Sequence, residues 1–172
     1  MGGGTPTVLS ASQLEAIMEA VTAGYHLAEG AEITAECNPA TANGELFRSM
    51  RRAGWNRLSI GVQSAREREL KALGRLHRFS DFLETWELAL AAGFSNLSAD
   101  VMFGIPHQTA ESLGDTLERI LACKPQHLSA YALTVEEGTP FARRGRVGLA
   151  CPRTRMWPTS APWLCGSRRR IG

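Results

Sequence analysis

The period of the apolar positions changes several times between Leu14 and Leu133. Leu14, Ile17, Met18 and Val21 recur at helical spacing, and Ser12-Gln13-Leu14-Glu15 places a serine and a glutamate as a capping box would. Residues 32–37 read as a short strand, closed at Asn38-Pro39 because proline disfavours helical geometry in the residue before it. Leu46, Phe47 and Met50 form a second helical stripe, and Gly54 stands where a left-handed C-terminal cap is wanted. The spacing then predicts a strand over 57–63, a short helix over 67–73 and a longer helix from an N-cap at Ser80 to Gly93. A strand over 96–102, a helix over 110–122 and a strand over 127–133 complete the order.

Strands separated by helices of this length predict a parallel sheet with right-handed crossovers, either doubly wound or a (β/α) barrel. The polar residues favour the barrel. Glu36-Cys37-Asn38, Gln63-Ser64, Asp100 and Thr134 stand at or near the C-terminal ends of successive strands, where barrel sites are assembled. Four strands cannot close a barrel, so an incomplete one is expected.

Composition narrows the class. The chain has 172 residues, 44% hydrophobic and 21% charged, which suits one ordinary core. No apolar run approaches the ~18 to 20 residues of a membrane span, and the first residues lack the regions of a signal peptide, so a cytoplasmic location is expected. Cys37, Cys123, Cys151 and Cys165 are scattered, with no Cys-x-x-Cys pair, and read as buried or free thiols. Residues 1–142 hold 17 acidic and 11 basic residues, whereas residues 143–172 hold 8 arginines and no acid. The expected organisation is therefore a domain over 1–142 and a basic, disordered or out-of-frame tail over 143–172. Three prolines and no periodicity in that tail argue against an evolved nucleic-acid surface, despite Trp157 and Trp163 among the arginines.

Several motifs occur in a fixed order: Gly2-Gly3-Gly4-Thr5-Pro6, Glu36-Cys37-Asn38-Pro39, Asn56-Arg57-Leu58-Ser59-Ile60-Gly61-Val62-Gln63-Ser64, Leu73-Gly74-Arg75-Leu76-His77, Asp100-Val101-Met102-Phe103-Gly104-Ile105-Pro106 and Glu137-Gly138-Thr139-Pro140. Together they resemble the radical S-adenosylmethionine (SAM) family of oxygen-independent coproporphyrinogen III oxidases and the related HemW-type heme chaperones. The wording of Gln63-Ser64 and of residues 133–140 is closer to the chaperone branch. The resemblance implies an α/β fold, an incomplete (β/α)6 barrel with SAM across the C-terminal strand ends. It implies that Gly3, Gly4 and Thr5 meet the amino-acid end of SAM, Glu36 a ribose hydroxyl, and Arg75 the methionine carboxylate through a planar fork. Gln63, Asp100 and Thr134 complete the implied set. Read singly, Glu36 is equally a solvated strand-end carboxylate, Arg75 a surface arginine, and Asp100 an N-cap or a partner of Arg75. His77 and His107 flank the rim and receive no role.

The sequence also departs from that family. Its [4Fe–4S] cluster is held by a Cys-x-x-x-Cys-x-x-Cys loop upstream of the glycine loop, and no such spacing exists here. The chain is accordingly expected to be an internal fragment, inactive alone, with weak or no SAM binding. The resemblance implies a parent carrying SAM, the cluster and possibly heme, with heme or porphyrin as its partner molecule. Pro152 to Thr159 can be encoded so that a shifted frame reads Pro-Asp-Glu-Asp, the segment the family would have there. Two further readings are a heme-binding module without radical chemistry and a (β/α) enzyme that cradles phosphate in its glycine loop.

Overall fold

The computed structural model describes residues 4–39 and 41–135. Residues 1–133 form one compact unit and residues 134–172 a second, of which only Thr134 and Val135 are described. The boundary expected at 142/143 lies outside the described residues.

A 3-10 turn, Pro6–Val8, leads into α1 (Ala11–Gly24). Then come β1 (Thr34–Cys37), α2 (Gly44–Arg52), β2 (Arg57–Gln63), α3 (Glu67–Ala72) and α4 (Phe79–Ala91). β3 (Asn96–Phe103), α5 (Ala110–Leu121) and β4 (His127–Ala132) follow. The four strands lie in sequence order, all parallel, in one open sheet. This is the α/β, partial-barrel arrangement expected, with β1 and β4 as its edges among the described residues.

Two helix starts differ from expectation. The α1 capping box uses Ser10, whose Oγ accepts from Gln13 N at 3.3 Å while Gln13 Oε1 accepts from Ser10 N at 2.9 Å. Ser12 and Glu15 have the same spacing, but Glu15 accepts instead from Ser49 Oγ on α2, tying the two helices together. α4 begins before Ser80, because the Asp81 carboxylate accepts from Arg78 N at 2.7 Å and closes the first turn there.

Period-two alternation sorts the strands into two faces. Ala35, Cys37, Leu58, Ile60, Val62, Leu97, Ala99 and Val101 belong to a core with the helical residues Leu14, Phe47, Met50, Phe82 and Trp86. Phe47 and Phe94 meet edge to face at 6.0 Å between centroids, and Phe82 and Trp86 at 5.4 Å. The other parity carries Glu36, Ser59, Gly61, Asp100, Met102 and Tyr131.

Candidate functional site

At the C-terminal ends of the strands that second face floors a cleft of about 330 Å³. Six of the eight residues singled out in the sequence line it: Gly4, Thr5, Glu36, Gln63, Arg75 and Asp100. Gly3 lies outside the described residues, and Thr134 belongs to the second unit. Asn38, Ser59, Gly61, Met102 and Tyr131 also line the cleft, and so does Cys37. Period-two counting from Asp100 reaches Met102, and the register pairs Met102 with Tyr131, so alternation was the signal that could have found both.

Gln63 is placed by an irregularity. The β2–β3 register runs Ile60 to Ala99 and then Gln63 to Val101, so β2 carries one extra residue. Beyond it Ser64 N donates to Val62 O at 2.7 Å across Gln63, whose φ is +63°, the bonding of a γ-turn with a left-handed centre. Holding a glutamine there costs about 1–3 kcal/mol. Its side chain folds back over Gly61, where a Cβ would stand 2.8 Å from Gln63 Nε2, so Gly61 is the residue that admits this arrangement.

Arg75 is placed by a helix end. Gly74, at φ +71°, follows α3; Gly74 N donates to Lys71 O at 3.0 Å and Arg75 N to Leu70 O at 2.9 Å, the paired bonds of a Schellman motif. Among the described residues no carboxylate lies within ion-pair distance of Arg75. Asp100, a possible partner from sequence, accepts instead from Ser59 Oγ at 2.8 Å across β2 and β3.

The cleft is rich in acceptors. Gln63 is 6% exposed, yet its Oε1 has no hydrogen-bond partner, and neither does the buried Asn38 Oδ1. An unmet buried acceptor costs about 1–3 kcal/mol, so both oxygens favour a ligand that brings N–H or O–H donors. With the carboxylates of Glu36 and Asp100 and one guanidinium in it, the lining suits a molecule that is donor-rich and carries one anionic group. Tyr131 answers to the same field: burial and then the Asp100 charge push its phenol up to about 12. Cys37, an apolar strand cysteine by sequence, is 4% exposed, and burial pushes its thiol up to about 12 against a smaller opposing bond from Thr7.

Behind the cleft lies a polar cluster that sequence reading missed. Glu69, 2% exposed, accepts from Ser64 Oγ at 2.7 Å, from Gln108 Nε2 at 3.1 Å and from Ser112 Oγ. Gln108 Oε1 accepts from Gly104 N at 2.8 Å, and its Nε2 also reaches Met102 O at 3.2 Å. One carboxylate thus joins the end of β2, α3, the turn after β3 and α5. His77 is 7% exposed with Nε2 at 3.3 Å from Val62 O, while His107 is exposed.

Residues 1–120 match the Radical SAM superfamily. The chain belongs to that superfamily. It is 43% identical over 145 residues to the heme chaperone HemW of Escherichia coli, and 40% identical over 138 residues to the mitochondrial radical S-adenosyl methionine domain-containing protein 1 of Bos taurus. Those alignments cover 84% and 80% of this chain but 38% and 31% of the relatives. Among solved structures, the coproporphyrinogen III oxidase HemN of E. coli superposes with a TM-score of 0.72 at 30% identity, over 77% of this chain and 31% of that one. The archaeal Elp3 of Methanocaldococcus infernus shares the fold at a TM-score of 0.72 and 21% identity, over 86% of this chain and 39% of its own.

Full-length radical SAM proteins carry SAM and a [4Fe–4S] cluster. The cleft fits the first: its unmet acceptors, its carboxylates and its lone guanidinium complement a nucleoside and an amino acid. For the second, no three His, Cys, Asp or Glu side chains converge among the described residues. Among these residues no helix is long and apolar enough to cross a membrane.

Proposed function

We propose that the cleft binds SAM and that the chain corresponds to the SAM-binding part of a heme chaperone of the HemW type. The observation that carries the first half is the convergence of Gly4, Thr5, Glu36, Gln63, Arg75 and Asp100 on one cleft in which two buried amide oxygens lack donors. In this reading Arg75 takes the methionine carboxylate with two parallel N–H donors. Glu36 accepts from the ribose hydroxyls. Gln63 Oε1 and Asn38 Oδ1 accept from ligand N–H groups, and Asp100, held by Ser59 and by the Tyr131 phenol, lends its charge to the cleft. The glycine loop brings backbone groups of Gly4 and Thr5 to the amino-acid end, and the family resemblance adds Gly3 to the proposal. Where the cluster is present, bound SAM supplies radical chemistry.

Similarity at 35–43% to proteins called HemW supports the chaperone branch. Thr134 and heme itself belong to the proposal on the same ground. The 30% identity to HemN favours a second reading, a coproporphyrinogen III oxidase of porphyrin biosynthesis. Saturation-transfer NMR of SAM mixed with the chain tests the cleft. Transfer to the adenine and methyl protons, abolished by Asp100→Ala and Arg75→Ala, is expected; no transfer at millimolar SAM refutes it. The branches separate in the full-length protein, where heme uptake without decarboxylation of coproporphyrinogen III marks the chaperone.

A further inference from the structure

The segments carrying Gln63 and Arg75 share a hydrogen-bond acceptor, the Val62 carbonyl oxygen. It accepts from Ser64 N at 2.7 Å, closing the γ-turn that holds Gln63, and it lies 3.3 Å from His77 Nε2. A carbonyl oxygen only accepts, so the imidazole donates there and carries its proton on Nε2. Burial, with the nearby Arg75 charge, pushes the His77 pKa down, while the Val62 bond and Asp81 act the other way.

His77 ends the short run that starts at Arg75. The front of that run is held by Arg75 N on Leu70 O at 2.9 Å, and in its middle Leu76 is fully exposed at 100%. The Leu76 side chain therefore contributes no packing, and within the run it is the His77 ring that reaches β2, just ahead of α4 and its buried Phe79. On the other side, Ser64 is anchored by its Oγ to Glu69. The γ-turn and the arginine run, each anchored separately at Glu69 and at Leu70, are thus linked to one another at the Val62 carbonyl.

We propose that His77 is a positioning residue that holds Gln63 and Arg75 in one fixed arrangement through the Val62 carbonyl. Its consequence for SAM rests on the reading of the cleft given above; the mechanical link does not. When the ring lets go, the Val62–Ser64 turn loses its outer support and the Arg75 run loses its link to β2 and keeps only the Leu70 bond, so both side chains move from one cause.

The test uses the full chain, labelled with ¹⁵N, with the Gln63 side-chain amide and Arg75 Nε–H signals as paired reporters and the Glu36 and Asp100 backbone amides as controls. In the wild type the His77 ring is expected to carry its proton on Nε2; a proton on Nδ1 instead overturns the proposal without any variant. His77→Leu removes the donor and is expected to shift both reporters while the controls stay. His77→Gln, whose side-chain amide N–H can reach the same carbonyl, is expected to leave both in place. Reporters unmoved in His77→Leu, or moved equally in His77→Gln, overturn the proposal. Should His77→Leu not fold, the wild-type tautomer and His77→Gln decide it.

SAM affinity is read separately, with an expected loss of about tenfold in His77→Leu and little change in His77→Gln. Paired shifts in a chain that binds no SAM refute the cofactor reading and leave the positioning role standing. SAM binding that is equal in wild type and His77→Leu, with no shifts, refutes the positioning role alone.

Discussion

Glu69 is the residue whose loss should be felt most widely, because one carboxylate receives donors from Ser64, Gln108 and Ser112. The two variants that separate charge from shape are Glu69→Gln and Glu69→Ala. In the glutamine variant the amide oxygen can occupy the Oε2 position and keep Ser64 and Gln108, and the amide nitrogen faces Ser112, whose hydroxyl has an alternative acceptor in Thr109 O at 3.1 Å. What is lost at each of the two kept bonds is the difference between a bond to a carboxylate, about 1.5–3 kcal/mol, and a neutral one of about 1 kcal/mol, so the expected destabilisation is about 1–4 kcal/mol and less than that of alanine. The alanine variant strands two donors in fully buried surroundings, at about 1–3 kcal/mol apiece, and leaves a cavity. About 3–5 kcal/mol is expected, a large part of the roughly 5–15 kcal/mol that holds a domain together. Urea unfolding followed by far-UV circular dichroism measures both. An alanine variant that loses less than about 1 kcal/mol, or a glutamine variant that loses as much as alanine, would refute the account of this cluster.

What the sequence made legible follows from which forces act locally. The strand over 57–63 coincides with Arg57–Gln63 because its apolar residues face the helices at every second position. Glu36, Gln63 and Asp100 were findable as polar residues at strand ends, and the parallel sheet brings them to one cleft whatever the details of the turns. The helix starts were less secure. Ser10-x-x-Gln13 and Ser12-x-x-Glu15 are equivalent as local patterns, and the choice between them is made by Ser49, on another helix. The γ-turn at Gln63 was illegible, since positive φ is ordinarily a glycine conformation and is held here by His77 and Ser64. Glu69 looks like a solvated residue within Glu67-Arg68-Glu69, and its burial depends on serines and a glutamine distant in the chain. His107 and His77 are equal in the sequence, yet one is exposed and the other buried against β2.

Three further outcomes are expected. A Cys37 pKa of about 12 in place of 9.0 lowers its thiolate fraction at pH 8 about a thousandfold. In a Cys123→Ser, Cys151→Ser, Cys165→Ser background, alkylation of Cys37 should be that much slower in the native chain than in urea, and a rate within about tenfold would contradict its burial. Burial holds the His77 pKa below the usual 6.5 of a histidine, so the unfolded chain binds more protons between the two. Its contribution to stability is full above pH 6.5 and is lost as pH falls from there towards the folded pKa; urea midpoints at pH 7.5 and 5.5 should show the drop, which His77→Gln should reduce. Gly61→Ala tests the placement of Gln63. Alanine suits a strand at least as well as glycine, and Gly61 has no positive φ, so stability should change by less than about 1 kcal/mol. The new Cβ nevertheless stands 2.8 Å from Gln63 Nε2, closer than van der Waals contact allows, so the amide must swing away and take its unmet oxygen with it. Stability and binding should therefore come apart, with SAM affinity falling about tenfold at a nearly constant urea midpoint; unchanged affinity in a folded Gly61→Ala chain would mean that Gln63 does not read the ligand from this position.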